Sequence, residues 1–375
     1  MWRMEPRPSQ AELEELGLFD PAAPDAADRS LLLNWAFDLG ATLDELVRAH
    51  QTRTDSLGAL LVDLVLRPPG PTEDLAAFAA GSGLDADLVR RLWLALGLPD
   101  SDISPVRVTP DAAVALRFFA GMAPFFGEDA TFGVARVLGS SMARLSEALS
   151  GAFRMSVEVP SRSAGTSYHE VAGQTTAVVR DRIPPFVDAM AAVFRRHLVN
   201  VSYQMWSPDA ENAAVTLQRT VCFADLVGST EALRALSIRE MAELVRRFEE
   251  QVWDLVSAAG GRVVKLIGDE AMFVLDDPVR ACQVGMDLIE TSGHPVRIGM
   301  THGTVVGLYG DYYGEVVILA ARLVSAAAPS TLVVSQSIRD RVDADFTLES
   351  LGPLELKGFA DPTPAYRVMP LGKRR

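Results

Sequence analysis

A chain of 375 residues, 49% hydrophobic and 22% charged, is long enough for two domains with sizeable cores and has the composition of an ordinary soluble globular protein. A formal charge of −14 argues against a nucleic-acid surface, because phosphate contacts need clustered Lys and Arg, so any anionic ligand must be held by local cations or a metal. The two cysteines, Cys222 and Cys282, lie in apolar segments without metal-ligand spacing and read as reduced core residues, which with the lack of a signal-like N-terminus and of any window of about 18 uninterrupted apolar residues predicts a soluble, cytoplasmic protein with no disulfide and no membrane span.

The first half is helical throughout. Residues 28 to 65 hold three helices, DRSLLLNWAFDLG, TLDELVRAH and SLGALLVDLVL, with apolar residues at helical spacing and Asp or Thr at the starts; RPPGP at 67 to 71 links them to the next unit. In TEDLAAFAAGSGLDADLVRRLWLALGLPD two helices flank Gly81, Ser82 and Gly83, and Ala79, Gly83 and Val89 fall at the offsets of a helix-turn-helix. The second helix sets Asp85 and Asp87 against Arg90 and Arg91, so a structural corner is favoured over DNA binding. From Pro110 to Phe153 the helical pattern continues, with Phe118, Phe119, Phe125 and Phe126 expected in the core or a pocket lining. SRSAGTS at 161 to 167 is a break, a long helix follows with Pro184 and Pro185 in its first turn, and WSPDAEN at 206 to 212 is a polar boundary. His169 and His197 can titrate near neutrality, although a lone His is more often structural.

In the second half, VCFADLVGST is a short apolar strand ending in Asp225 and turning through Gly228, Ser229 and Thr230 toward a helix, whose free N–H groups and positive dipole end favour an anion. GGRVVKLIGDEAMFVL reads as a hairpin around Gly268, with Lys265 and Asp269 near its turn. Each piece has a plain reading: Asp after a strand often caps a helix, and Gly-Asp is first a turn signal. Two strand-end acids beside a phosphate-ready loop instead suggest Mg2+ held against a nucleoside triphosphate, since Mg2+ prefers a few carboxylates plus phosphate oxygens. The elements run as strand 215–224, helix 238–258, hairpin 262–275, helix 278–291, strands 296–309, helix 314–327, strand 331–335, and late strands near 346–357 and 364–368.

With a third segment, DYYGEVVILAAR from Asp311 to Arg322, the C-terminal half resembles the class III nucleotidyl cyclase homology domain from Val221 to about Val368. ARVLGSSMARLSEA at 135 to 148 and FRRHLVNVSYQM likewise resemble the helical regulatory domain of actinobacterial cyclases. The resemblance implies an α+β protein: an all-helical regulatory or autoinhibitory domain at 1–205, a linker at 206–214, and a ferredoxin-like catalytic domain at 215–375. It implies an adenylate cyclase making cyclic AMP and pyrophosphate from ATP, in a head-to-tail homodimer with sites across the interface. Asp225 and Asp269 match the ligands of two Mg2+ or Mn2+ ions, and Lys265 and Asp311 the pair that reads adenine. Gly228, Ser229 and Thr230 would meet phosphate, as would Lys357 unless it is only a surface strand-end Lys. Arg322 matches the transition-state arginine, but Ile318, four residues earlier, stands where the family has a transition-state asparagine, which predicts a slow enzyme. A lipid, a small molecule or protons would act through the helical half. Two other readings remain: a degenerate cyclase domain that binds nucleotide without reaction, and a DNA-binding regulator.

Overall fold

The computed structural model describes residues 7–51, 57–98, 107–205, 216–227, 237–342 and 344–370. The chain divides into two compact units, Met1–Ser207 and Pro208–Arg375. The linker expected at 206–214 lies outside the described residues. No helix among the described residues is long and apolar enough to cross a membrane.

The first unit is built from helices α1 (Gln10–Glu15), α2 (Ala26–Asp38), α3 (Leu43–Gln51), α4 (Leu57–Leu66), α5 (Leu75–Ser82), α6 (Ala86–Ala95), α7 (Pro110–Phe126) and α8 (Glu128–Phe153). A π-helical turn at Arg154–Glu158, a short α9 (Val159–Ser163) and the long α10 (Tyr168–Met205) complete it. Side-chain caps mark the starts: the Asp74 carboxylate accepts the Ala77 N–H, and that of Asp85 the Leu88 N–H at 2.8 Å. Gly83 ends α5 with φ +70°. Two apolar clusters hold the unit together, one around Leu33, Ala36, Leu46 and Leu61, the other around Phe78, Leu92, Trp93 and Leu116. In α6 the stripe Val89, Leu92 and Trp93 is buried, while Arg91 reaches Glu128 at 3.1 Å and lies over the Phe132 ring.

Two expectations fail here. The long helix begins at Tyr168 rather than at Pro184, because Ser167 and Glu170 form the reciprocal cap of a helix start. The two prolines sit inside it, and the carbonyls they leave unpaired, at Arg180 and Asp181, belong to exposed residues that water can satisfy. The aromatic cluster is not core: only Phe119 is buried, whereas Phe118, Phe125 and Phe126 are 62%, 81% and 56% exposed. The buried stripe of α7 runs Ala113, Leu116, Phe119 and Ala120, and Phe118 lies off it.

The second unit is a mixed sheet with helices on both faces. Its strands are β1 (Thr216–Leu226), β2 (Arg262–Ile267), β3 (Glu270–Leu275), β4 (Val296–Leu308), β5 (Asp311–Tyr313), β6 (Thr331–Ser335), β7 (Phe346–Leu354) and β8 (Thr363–Pro370). Its helices are α11 (Ile238–Ala258), α12 (Pro278–Thr291), α13 (Glu315–Ala326) and α14 (Gln336–Val342). The order β2-β3-β1-β4-β6-β8-β7, with β5 paired to β4, opens with the four-strand arrangement of a ferredoxin-like fold; β4 and β6 are parallel and the other neighbours antiparallel. The expected α+β class holds. Period-two alternation sorts the residues of β1: Cys222, Ala224 and Leu226 pack with Phe248, Val252 and Leu288 of α11 and α12, whereas Val221 and Phe223 face Ala320 and Val324 of α13. At Gly299 of β4 an added Cβ would lie 2.2 Å from the Val324 backbone nitrogen, so α13 approaches the sheet more closely than any side chain there would allow. The short strand β5 and helix α14 were not expected.

Candidate active site

Asp225 has the same parity along β1 as Val221 and Phe223, so it emerges on the α13 face of the sheet just where the strand ends. Strand register sets Glu270 of β3 on one side of it and Arg297 of β4 on the other. The Arg297 guanidinium donates a short hydrogen bond to Asp225 Oδ2, with the carboxylate 18% and the guanidinium side chain 31% exposed. Arg297 Nε is buried without a partner. Burial pushes the Asp225 carboxyl above its ordinary value; Arg297 offsets part of that rise and the negative charge of Asp269 adds to it. Glu270 rises for the same reasons, burial first and then Asp225 and Asp269. Asp269 sits with Gly268 in the two-residue turn between β2 and β3, and its carbonyl accepts the Leu226 N–H at 3.2 Å, which ties that turn to the end of β1.

On the same face, Lys265 of β2 reaches Asp311 at the start of β5. Lys265 Nζ donates to Asp311 Oδ2 at 2.6 Å, and the other carboxylate oxygen accepts the Tyr312 N–H at 2.8 Å. Both side chains are about a third exposed, 35% and 28%, so the pair is ordered yet open to a ligand. On α13, Arg322 Nε donates to the Lys357 backbone carbonyl at 2.9 Å, and Ile318 lies one turn earlier, 51% exposed. The Lys357 side chain is exposed. Gly228, Ser229 and Thr230 lie outside the described residues.

The sequence-derived candidates thus come together in pairs: Asp225 with Asp269, Lys265 with Asp311, and Arg322 with the Lys357 backbone. Arg297 and Glu270 were missed. Glu270 follows Asp269 directly and the sequence carried that signal; Arg297 is 72 residues from Asp225, and only the β1–β4 register makes them neighbours. Among the described residues no three His, Cys, Asp or Glu side chains converge as a metal cage. The carboxylates of Asp225, Asp269 and Glu270 lie close enough that neighbouring negative charge adds to the burial that raises Asp225 and Glu270, and with one guanidinium among them they form a place of unbalanced negative charge, which suits a cation also held by phosphate oxygens.

Residues 212–369 match the adenylate and guanylate cyclase catalytic domain, and residues 10–199 match the adenylate cyclase regulatory domain. An uncharacterized protein of Mycobacterium tuberculosis (strain ATCC 25618 / H37Rv) is 33% identical over 95% of this chain and 93% of its own. An adenylate cyclase of Streptomyces coelicolor is 33% identical over 70% of each chain. A pH-sensitive adenylate cyclase of Mycobacterium tuberculosis (strain CDC 1551 / Oshkosh) is 27% identical over 96% of this chain and 92% of its own. With a helical unit of the regulatory type ahead of a ferredoxin-like sheet that gathers these acids and bases on one face, the chain belongs to the class III adenylate cyclase family, in the branch that carries an N-terminal adenylate cyclase regulatory domain.

Proposed function

We propose that the protein converts ATP to 3′,5′-cyclic AMP and pyrophosphate as a cytoplasmic homodimer, with the helical unit controlling the rate. The Lys265–Asp311 pair carries this reading: an ammonium and a carboxylate 2.6 Å apart and still open to solvent offer a donor for adenine N1 and an acceptor for its 6-amino group. Guanine presents the opposite polarity at both positions, and a donor left facing a donor costs a buried, unpaired group.

Asp225 and Asp269 would hold two Mg2+ or Mn2+ ions. When bound, these ions lower the proton affinity of the ribose 3′-hydroxyl and neutralise the triphosphate. The remaining demands are on positioning. Lys265 and Asp311 orient the base, Arg322 supplies positive charge where the α-phosphate becomes more negative, and Lys357, with Gly228, Ser229 and Thr230, would meet the departing phosphates. Lys265 and Asp269 share one hairpin, so a composite site formed head to tail assigns them to different sites of the dimer. Exposed apolar side chains at Ile267, Leu308 and Tyr313 support a dimer.

Steady-state assays with ATP and GTP test the base assignment. The unaltered protein is expected to prefer ATP in kcat/KM, and the double variant Lys265→Glu, Asp311→Cys to lose most of that preference; equal use of both triphosphates by the unaltered protein would contradict the assignment.

Control by the helical unit accounts for its size and for a cavity of about 680 Å3 between α4, α8 and α10. Its walls are mostly apolar, Val62, Leu149, Val178 and Phe186 among them, and Arg154 and Arg182, against one acid, Glu158, line it as well. That combination suits an amphiphile with an anionic head, which favours lipid over proton as the regulator. Removal of residues 1–205 is expected to raise activity and to abolish any response to lipid or pH. A still dimeric truncated protein with the same rate and the same pH profile would refute the regulatory role.

One observation favours a second reading, a nucleotide-binding domain without turnover: Ile318 offers no hydrogen bond where the family uses an amide. A DNA-binding role draws less support. The α5–α6 corner buries one face of α6, and the exposed Arg91 is already paired with Glu128 and lies over the Phe132 ring.

A further inference from the structure

The hairpin that carries Asp311 is held in a backbone form that half of its turn disfavours. Leu308 of β4 pairs with Asp311 of β5, leaving Tyr309 and Gly310 as a two-residue turn. Their φ values are +50° and +80°, the pair of positive angles that defines a type I′ turn. Glycine adopts such a backbone freely, and Asn or Asp is the usual residue before it. A tyrosine there is strained and persists only where its surroundings hold it.

Arg262 supplies a hold on both flanks of Asp311. From the first position of β2 its guanidinium donates a short hydrogen bond to the Gly310 carbonyl, the residue before Asp311. It also lies over the ring of Tyr312, the residue after, with Cζ 5.3 Å from the ring centroid. Tyr312 is 8% exposed, so that ring is a fixed support. Three residues further along the same strand, Lys265 takes Asp311 Oδ2. One strand therefore grips the turn with its first residue and completes the base-reading pair with its fourth.

We propose that Arg262 is a positioning residue for purine recognition: it clamps the strained Tyr309–Gly310 turn so that Asp311 is presented beside Lys265 with its carboxylate set for an exocyclic amino group. The inference rests on the adenine-reading role given above to Lys265 and Asp311. Loss of the clamp lets the turn relax and carries Asp311 away from Lys265. The acceptor for the 6-amino group is then lost, while Asp225 and Asp269, on the β1 end and the β2–β3 turn, keep their places.

Calorimetric binding to the full-length protein with Mn2+ tests this, using 3′-deoxy-ATP and 3′-deoxy-GTP, which lack the attacking hydroxyl and cannot cyclise. The unaltered protein is expected to prefer the adenine analogue. Arg262→Ala should weaken adenine binding about tenfold, the scale of one charge-assisted hydrogen bond, with little change for guanine. Arg262→Lys should fall between, since it keeps the charge but loses the planar fork. In the Arg262→Ala background, Tyr309→Asn should restore both affinity and preference, because Asn-Gly forms a type I′ turn unaided. General damage to the fold would not be repaired by relaxing that single turn. If the unaltered protein shows no preference, the base-reading assignment fails and takes this inference with it. If it prefers adenine and Arg262→Ala does so equally, or if the double variant is no better than Arg262→Ala, the clamp alone is overturned.

Discussion

Replacement of either Asp225 or Asp269 by alanine is expected to reduce cyclic AMP formation by about 10³-fold or more while the protein stays folded. A bound divalent cation contributes several kcal/mol to stabilising the developing charge on a phosphoryl group, and each ~1.4 kcal/mol is a factor of ten. The site has few ligands to spare: among the described residues no third acid completes a cage. The neighbours of Asp225 complicate its alanine variant, because Arg297 would lose its carboxylate partner while its Nε already has none. Asp225→Asn keeps the shape and a hydrogen-bond acceptor for Arg297 and removes the charge, so it separates loss of metal binding from loss of packing. Thermal denaturation and Mn2+ binding by calorimetry accompany the assay. Retained activity in a folded alanine variant at either position would overturn the metal assignment.

Ile318→Asn is expected to raise kcat with little change in KM. An amide at this position would donate chiefly to the transition state, and one such donor is worth about 2.7 to 4 kcal/mol, or roughly 10²- to 10³-fold in rate. The opposing costs are smaller. Asn inside a helix is less favourable than the best residues by at most about 0.7 kcal/mol. Ile318 is 51% exposed, so an amide there is not forced into an apolar pocket without partners. Arg322 lies one turn further along α13, four residues on, with its own anchor on the Lys357 carbonyl. The base and phosphate contacts proposed above do not involve Ile318, which is why the gain belongs in kcat. Both kinetic constants measured for the two proteins decide the matter. A flat or lower kcat in a stably folded Asn variant means that the missing amide is not what limits the proposed reaction.

The order of elements in the catalytic unit was legible because it is local. Alternation along VCFAD, helical spacing from residue 238 to 258 and the Gly-Asp turn each follow from contacts within a few residues, and the structure reproduces them as β1, α11 and the β2–β3 hairpin. The chemical types of Asp225, Asp269, Lys265 and Asp311 were equally plain, and the absence of an amide at Ile318 needed no structure at all.

What tertiary structure alone decided is of another kind. The start of α10 at Tyr168 is not such a case: the reciprocal Ser167–Glu170 cap is a local signal that the sequence carried, and it outweighs two prolines whose lost hydrogen bonds face water. Phe118 and Phe119 are adjacent and chemically identical, yet one is buried and the other exposed, because only one falls on the stripe that α7 turns toward its neighbours. Arg297 beside Asp225, and Arg262 across from Gly310, are contacts between residues 72 and 48 positions apart. A chain of amino acids specifies such neighbours only through strand register, and register is set by how all the strands share one buried face rather than by any local run of residues.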